Sequence, residues 1–220
     1  MDSFSNKLVI IDQTKLQRRY GYRIIKRCLD LVLSICGLMM LLPLFMIVAL
    51  AIKLDDPQGR ILYTQIRIGR HRQPFKIYKF RSMVTDAEQL LAALHQHNEI
   101  EGAMFKMKTD PRVTRTGRFI RKYSIDELPQ LWNVVIGDMS LVGPRPPIAT
   151  EVVAYTEYDQ QRLCVKPGCT GLWQATVRNS VGFHEMVYLD LIYIQKSSIS
   201  YDLWILMKTV KMVVKPTGAY

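Results

Sequence analysis

The chain is short of the residues that build metal clusters and disulfide frameworks. It has four cysteines and four histidines among 220 residues, and its cysteines, at positions 28, 36, 164 and 169, show no metal-ligand spacing. Two of the four lie in or beside an apolar run, so we expect buried free thiols and a reducing, cytoplasmic setting. His95 and His97 lie two residues apart and would point to different faces of a helix, which makes them poor joint ligands.

Acidic residues are scarce as well. The chain has 19 Asp and Glu against 30 Lys and Arg, a formal net charge of +11, which implies an anionic partner. Nucleic acid, an acidic membrane surface and a phosphorylated substrate all satisfy that charge. Internal repeats and low-complexity tracts are absent from the sequence, and a hydrophobic content of 49% excludes a disordered chain. The length suits one domain of ordinary size with an appendage.

An apolar run covers residues 31–52 without a single charge. At about 1.5 Å per residue it would be roughly 33 Å long as a helix, enough to cross a bilayer core. Composition alone therefore predicts a single transmembrane helix. Pro43 in its middle and basic residues on both flanks favour instead a helix–break–helix hairpin that enters and leaves on one face of the membrane. The run begins too late and is too long for a cleavable signal.

Periodicity predicts a small β element among helices. Two short strands, 61–65 and 75–83, read as an antiparallel pair, and the basic side chains on the second fit a solvated face or a site equally well. We expect helices at 86–101, 148–163, 183–194 and 201–214, and a short basic helix or turn at 113–123. The last is basic and amphipathic with Trp204 among its apolar residues, which fits a membrane interface or a core-packing terminal helix.

Two adjacent carboxylates, Asp126 and Glu127, lie among many cations. The surrounding basic residues are Arg112, Arg115, Arg118, Arg121, Lys122 and Arg145. This pattern favours a site for a polyanion and a divalent metal. Ser124 can cap a following helix, with Glu127 completing a capping box, and such a terminus attracts phosphate. An ordinary N-cap signature explains the same tetrapeptide without any site. Arg145, framed by Gly and Pro, is a candidate phosphate clamp.

The segment 126–146, Asp-Glu-Leu-Pro-Gln-Leu-Trp-Asn-Val-Val-Ile-Gly-Asp-Met-Ser-Leu-Val-Gly-Pro-Arg-Pro, resembles the signature of the bacterial sugar transferases, the monotopic polyprenyl-phosphate phosphoglycosyl transferases. Further matches are 79–83 (Lys-Phe-Arg-Ser-Met) and 166–174 (Lys-Pro-Gly-Cys-Thr-Gly-Leu-Trp-Gln). The resemblance extends from about Tyr22 to the last residue.

The resemblance implies transfer of a sugar-1-phosphate, hexose-1-phosphate in particular, from a UDP-sugar to undecaprenyl phosphate with release of UMP. Asp126 would be the nucleophile that forms an aspartyl phosphosugar, and Asp126 and Glu127 would bind Mg²⁺. Whether Glu127 holds the metal or orients the lipid phosphate is left open by the sequence. The substrate-binding residues that the resemblance implies are Arg81, Arg121, Arg145, Gln174, Arg178 and Asp190.

The resemblance further implies an α+β, helix-rich fold with interfacial amphipathic helices. We expect a leader or interfacial segment at 1–21, a re-entrant membrane helix at 22–54 and a cytoplasmic catalytic domain at 55–220. The protein would then act at the cytoplasmic face of a bacterial inner membrane, in contact with membrane lipids. The alternatives are an inactive membrane-tethered scaffold and a basic anion- or nucleic-acid-binding protein. The apolar run and the lack of a nucleic-acid motif speak against nucleic acid.

Overall fold

A 36-residue helix, α2 (Tyr20–Asp55), dominates the computed structural model, which describes residues 8–94, 107, 110–177 and 181–214. Only 11% of its most apolar window is buried, whereas the core helix of a soluble protein would be mostly buried. The helix is long and apolar enough to cross a membrane. Its backbone stays helical through Pro43, so the predicted break is not seen and the hairpin stays a prediction.

The other helices are α1 (Gln13–Arg18), α3 (Ala87–Leu94), α4 (Arg115–Lys122), α5 (Gln130–Ile136), α6 (Ala149–Val153), α7 (Glu157–Gln160), α8 (Leu172–Thr176), α9 (Phe183–Lys196) and α10 (Ile199–Val214). The strands are β1 (Leu62–Ile68), β2 (Pro74–Phe80), β3 (Ser140–Val142) and β4 (Gly168–Thr170). The helix-rich α+β prediction is thus confirmed in its coarse form.

Two small sheets are formed by the strands that precede and follow Asp126 and Glu127, here called the dyad, in the sequence. β1 and β2 form the predicted antiparallel pair, with Gln65 opposite Ile77. The second sheet, in which β3 pairs with β4 in parallel, was not expected from the sequence. Its strands are three residues each, too short to give a periodic signal.

The main core lies beneath α5, β3, α9 and α10, and its most deeply buried members include Val134, Leu191 and Ile205. Val9 and Ile11 are buried in the same core, although the sequence suggested only a loose leader before Gln13. A smaller cluster joins α2 to β2 and α4 through Val48, Ile52, Phe80 and Ile120.

The segment from α4 to α5 lies antiparallel along α2. Near the end of α2, the Asp55 carboxylate accepts a hydrogen bond from the Thr116 amide at 2.7 Å. Nearer its start, Arg27 donates to the carbonyls of Val134 and Val135 at the end of α5, at 2.6 and 3.0 Å. Asp126 and Glu127 lie between these contacts in sequence, so α2 supports the turn that carries them.

Several element predictions are confirmed and others are not. The helices expected at 113–123, 183–194 and 201–214 are present with shifted ends, whereas 148–163 is divided into α6, α7 and a 3₁₀ turn, Gln161–Cys164. The helix expected at 86–101 is seen as far as Leu94, and its remainder, with both histidines, lies outside the described residues. All four cysteines are free, but Cys28 and Cys36 are exposed on α2, so the buried-thiol prediction is wrong for these two.

The terminal helix α10 combines the two roles that its sequence left open. Asp202 and Ile205 are buried against the rest of the protein. The apolar side chains of Leu203, Trp204, Met207, Val210 and Val214 are exposed. One face of α10 therefore packs on the core while an apolar face remains uncovered.

Candidate active site

The dyad lies in a 3₁₀ turn, Ile125–Glu127, between α4 and α5. The predicted capping box is wrong: Ser124 has φ 55° and its side chain caps nothing. The backbone of Ser124 makes the hydrogen bonds instead. Its amide donates to the Arg121 carbonyl at 3.0 Å, and its carbonyl accepts from the Glu127 amide at 3.3 Å. This left-handed residue reverses the chain after α4, and α5 begins only at Gln130, after Pro129.

Asp126 is the buried member of the dyad, with 8% of its surface exposed. Burial raises the pKa of its carboxyl to about 6, and the charge of Glu127 adds to the rise. The cations Lys79 and Arg121 oppose it. At neutral pH most molecules therefore carry an ionised Asp126 that is poorly solvated, a state suited to nucleophilic attack.

The pKa of Glu127 is shifted in the opposite direction, below its ordinary value. Its carboxylate forms an ion pair with Lys79 of β2 at 2.5 Å, and its side chain is 39% exposed. Burial raises the pKa of Glu127, but Lys79, Arg145 and Arg67 together hold it below the ordinary value. The two neighbouring carboxyl groups thus have pKa values moved in opposite directions, a pattern typical of sites where two acids have different roles.

Three arginines approach the dyad from three elements. Arg121 of α4 donates to the Ser82 hydroxyl at 2.9 Å, which fixes its guanidinium beside Asp126. Arg145 follows β3, is half-buried and lies 3.9 Å from the Glu151 carboxylate. Arg67 of β1 donates to the Pro146 carbonyl at 3.1 Å. Its pKa falls to about 10 because it is buried and lies near Arg145.

Asp190 lies behind Arg145, fully buried. Arg162 contacts its carboxylate and also donates to the Tyr155 hydroxyl at 2.9 Å and to the Arg145 carbonyl at 3.4 Å. Burial raises the pKa of Asp190 to about 6, although Arg162 and Arg145 oppose the rise. The pair therefore supports the loop that carries Arg145.

The remaining predicted residues are more dispersed. Arg81 forms an ion pair with the Asp56 carboxylate at 3.2 Å and donates to the Asp56 backbone carbonyl. The Arg81 guanidinium also lies against Gly59, where an added Cβ would come within 1.0 Å of it. These contacts tie β2 to the chain after α2 rather than to the dyad. Gln174 lies on α8, half-buried, with its amide oxygen close to Gly171. Arg178 lies outside the described residues.

Sequence reasoning missed Lys79, Arg67 and Arg162 as members of this site. Lys79 and Arg67 lie on the face of the hairpin that also carries the buried Ile77, and strand alternation from Ile77 would have found them. Arg162 lay in a stretch read as a plain polar helix. Arg162 and Asp190 are 28 residues apart in the sequence, so the local pattern does not predict their contact.

A buried carboxylate, a second one paired with a cation, and three nearby arginines make a charge arrangement that suits a phosphorylated, anionic substrate. The chain belongs to the bacterial sugar transferase family, whose model matches residues 21–216.

Three relatives illustrate the similarity. The chain is 46% identical over 91% of its length to the galactosyl transferase CpsE of Streptococcus agalactiae, covering 44% of that protein. It is 43% identical over 99% of its length to an undecaprenyl-phosphate galactose phosphotransferase of Salmonella typhimurium, covering 46% of it. The exopolysaccharide production protein ExoY of Rhizobium meliloti is 37% identical, with 99% of this chain and 97% of that protein aligned. The chain thus spans about half the length of the first two and nearly all of the third.

Replacement of Lys79 by Gln should raise the pKa of both dyad carboxyl groups, because their ionised forms lose a neighbouring cation. We expect the larger rise in pKa at Glu127, because its carboxylate loses its ion-pair partner. A titration followed by carbon NMR of side-chain carboxyl labels measures it. Lys76→Gln, an exposed cation on the same strand, is the matched control and should leave both values unchanged. Equal pKa values in the Lys79 variant and the control would contradict this account of the dyad.

Proposed function

We propose that the protein transfers a sugar-1-phosphate from a UDP-sugar to undecaprenyl phosphate and releases UMP, as a first membrane step of polysaccharide synthesis. The observation that carries the proposal is the poorly solvated Asp126 carboxylate beside the paired Glu127. The relatives' names, which specify sugar phosphate transfer to undecaprenyl phosphate and exopolysaccharide production, support it. Hexose is the expected sugar, since relatives are named for galactose and glucose.

Asp126 acts as the nucleophile in this mechanism. One of its oxygens attacks the β-phosphorus of the UDP-sugar, the bond from that phosphorus to the bridging oxygen breaks, and its electron pair leaves with UMP. An aspartyl phosphosugar results. An oxygen of the lipid phosphate then attacks the same phosphorus, the bond to Asp126 breaks, and the carboxylate is restored. The product is a polyprenyl diphosphate sugar.

The surrounding cations stabilise the charge on the phosphoryl group as it moves. Arg121 is fixed by Ser82, and Arg145 is supported through the Arg162 contact with its carbonyl. Fixed donors of this kind lower the barrier more than mobile ones because they need no reorganisation during the reaction. Lys79 keeps Glu127 ionised and therefore available to orient the incoming lipid phosphate or to bind a metal.

The dyad fits Mg²⁺. Protein sites commonly hold this ion with one or two carboxylates and leave its other positions to water and substrate phosphates. Asp126 and Glu127 supply two adjacent carboxylates, while groups of three or more His, Cys, Asp or Glu residues suited to a metal are absent from the described residues. The two would hold Mg²⁺ together with the diphosphate, whose charge the ion would neutralise.

Both ends of α2 contact the same folded unit, which supports a re-entrant geometry. Near its start, Tyr22 donates to Asp202 of α10 at 2.8 Å, and near its end Asp55 accepts from Thr116 of α4. If α2 crossed the bilayer, these contacts would pull the charged catalytic unit into the hydrocarbon. We therefore infer that both ends of α2 stay on the cytoplasmic side, with its apolar surface within the cytoplasmic leaflet and the uncovered apolar face of α10 at the interface.

The substitution Asp126→Asn tests the proposed function. It keeps the shape of the side chain but removes the nucleophile, so UMP release from a UDP-sugar in the presence of undecaprenyl phosphate should fall by about 10⁴-fold or more. Asp138→Asn, an acid beyond the end of α5, is the control and should retain activity. If the Asp126 variant releases UMP at the wild-type rate, the mechanism is wrong. If the unchanged protein releases no UMP from any UDP-sugar, a membrane-tethered scaffold becomes the better account.

Cysteine labelling tests the membrane geometry. In a cysteine-free background, single cysteines at Arg18 and at Arg60 flank α2, and an impermeant maleimide is added to spheroplasts or to inverted inner-membrane vesicles. We expect both positions to react only in inverted vesicles, because both ends lie on the cytoplasmic side. Reaction of one position in each preparation would establish a spanning helix.

A further inference from the structure

A cavity of about 560 Å³ lies apart from the dyad, between α1, the first half of α2 and the chain at 164–166. Its size is in the range of small-molecule sites. Apolar side chains form much of its wall: Leu16, Ile24, Val142, Val165 and Ile194. Neither Asp126 nor Glu127 lines it. The cavity is therefore a separate site.

The cations that line this cavity are Arg23, Lys26, Arg27, Arg70 and Lys166, against one lining carboxylate, Asp30. Lys26 forms an ion pair with Asp202. The side-chain nitrogens of Arg27 and Lys166 both approach the Cβ position of Gly137, to 3.5 and 3.6 Å. Arg27 donates to backbone carbonyls, and within the described residues neither Arg70 nor Lys166 has a carboxylate at ion-pair distance. The lining cations therefore outnumber the lining carboxylate, which leaves net positive charge around Arg27, Arg70 and Lys166.

The electrostatics of Lys166 agree with this geometry. Burial lowers the pKa of its ammonium group, and the charges of Arg27 and Arg70 lower it further. The carboxylates of Asp30 and Asp138 oppose that shift without reversing it. An anion placed among the three cations would relieve their mutual repulsion.

The rim shows where such a ligand would enter. Tyr20 and Ile24 line the cavity and are 67% and 65% exposed, so the cavity opens on the outward, apolar side of α2. A soluble nucleotide would gain little from that apolar path, whereas a hydrocarbon chain would follow it into the bilayer.

We propose that this cavity binds the phosphate headgroup of a lipid, with the headgroup among Arg27, Arg70 and Lys166 and the chain leaving past Tyr20 and Ile24. The site does not depend on the transfer reaction at the dyad. A bilayer phospholipid and a polyprenyl phosphate share the required chemistry, a phosphate on an apolar chain.

Native mass spectrometry of the full chain tests the proposal without any donor sugar. The protein is purified in dodecyl maltoside micelles, a phosphate-free detergent, and mixed with phosphatidylglycerol, undecaprenyl phosphate or uncharged diacylglycerol. We expect one phosphate lipid to be retained, and Arg70→Gln/Lys166→Gln to reduce its retention by about tenfold or more, because two charge-assisted contacts are lost. Lys76→Gln/Lys196→Gln removes the same charge from exposed positions outside the cavity and should retain the lipid.

The three lipids separate the possible sources. Retention of phosphatidylglycerol that the cavity variant loses identifies a bilayer phospholipid, and the same pattern with undecaprenyl phosphate alone identifies the acceptor lipid. Equal retention by the cavity variant and its control, or retention of diacylglycerol as strong as that of the phosphate lipids, would overturn the proposal. Circular dichroism of each variant establishes that it is folded.

Discussion

The adjacent carboxylates of Asp126 and Glu127 repel each other in a half-buried turn, and the cations around them offset that repulsion. Lys79 reaches Glu127 from a strand 48 residues earlier and forms the ion pair on which the dyad depends. With Glu127 kept ionised, Asp126 takes the full effect of burial and of its neighbour's charge, and its pKa rises to about 6. The hairpin β1–β2, α4 and the Arg145 loop converge to supply the compensating cations.

The long apolar helix is the second structural requirement. The segment from α4 through the dyad to α5 lies along α2, with contacts near both of its ends. In the proposed function the acceptor is a polyprenyl phosphate, whose phosphate lies in the headgroup plane of a bilayer, so the reactive carboxylate would have to lie at that depth. We propose that α2, embedded in the membrane, holds the dyad segment there and that the apolar face of α10 adds a further contact with the leaflet.

Local sequence patterns were sufficient for the elements but not for the site's internal contacts. The hairpin β1–β2 and the helices α4, α9 and α10 follow from periodicity. Ser124 misled, because a serine before acidic residues commonly caps a helix with its side chain, whereas here it has a left-handed backbone and its side chain caps nothing. Lys79 with Glu127, Arg81 with Asp56 and Arg162 with Asp190 are long-range pairs, which only the folded chain brings together.

The central claim is that Asp126 becomes covalently phosphorylated during turnover. Intact-mass analysis of the full chain, quenched in acid after addition of a UDP-hexose without lipid acceptor, tests it most directly. The account predicts a mass increase equal to one hexosyl phosphate, located on the peptide that contains Asp126 and lost when undecaprenyl phosphate is added. An unmodified protein that nevertheless transfers the sugar phosphate to lipid, or an adduct located on another residue, would contradict it.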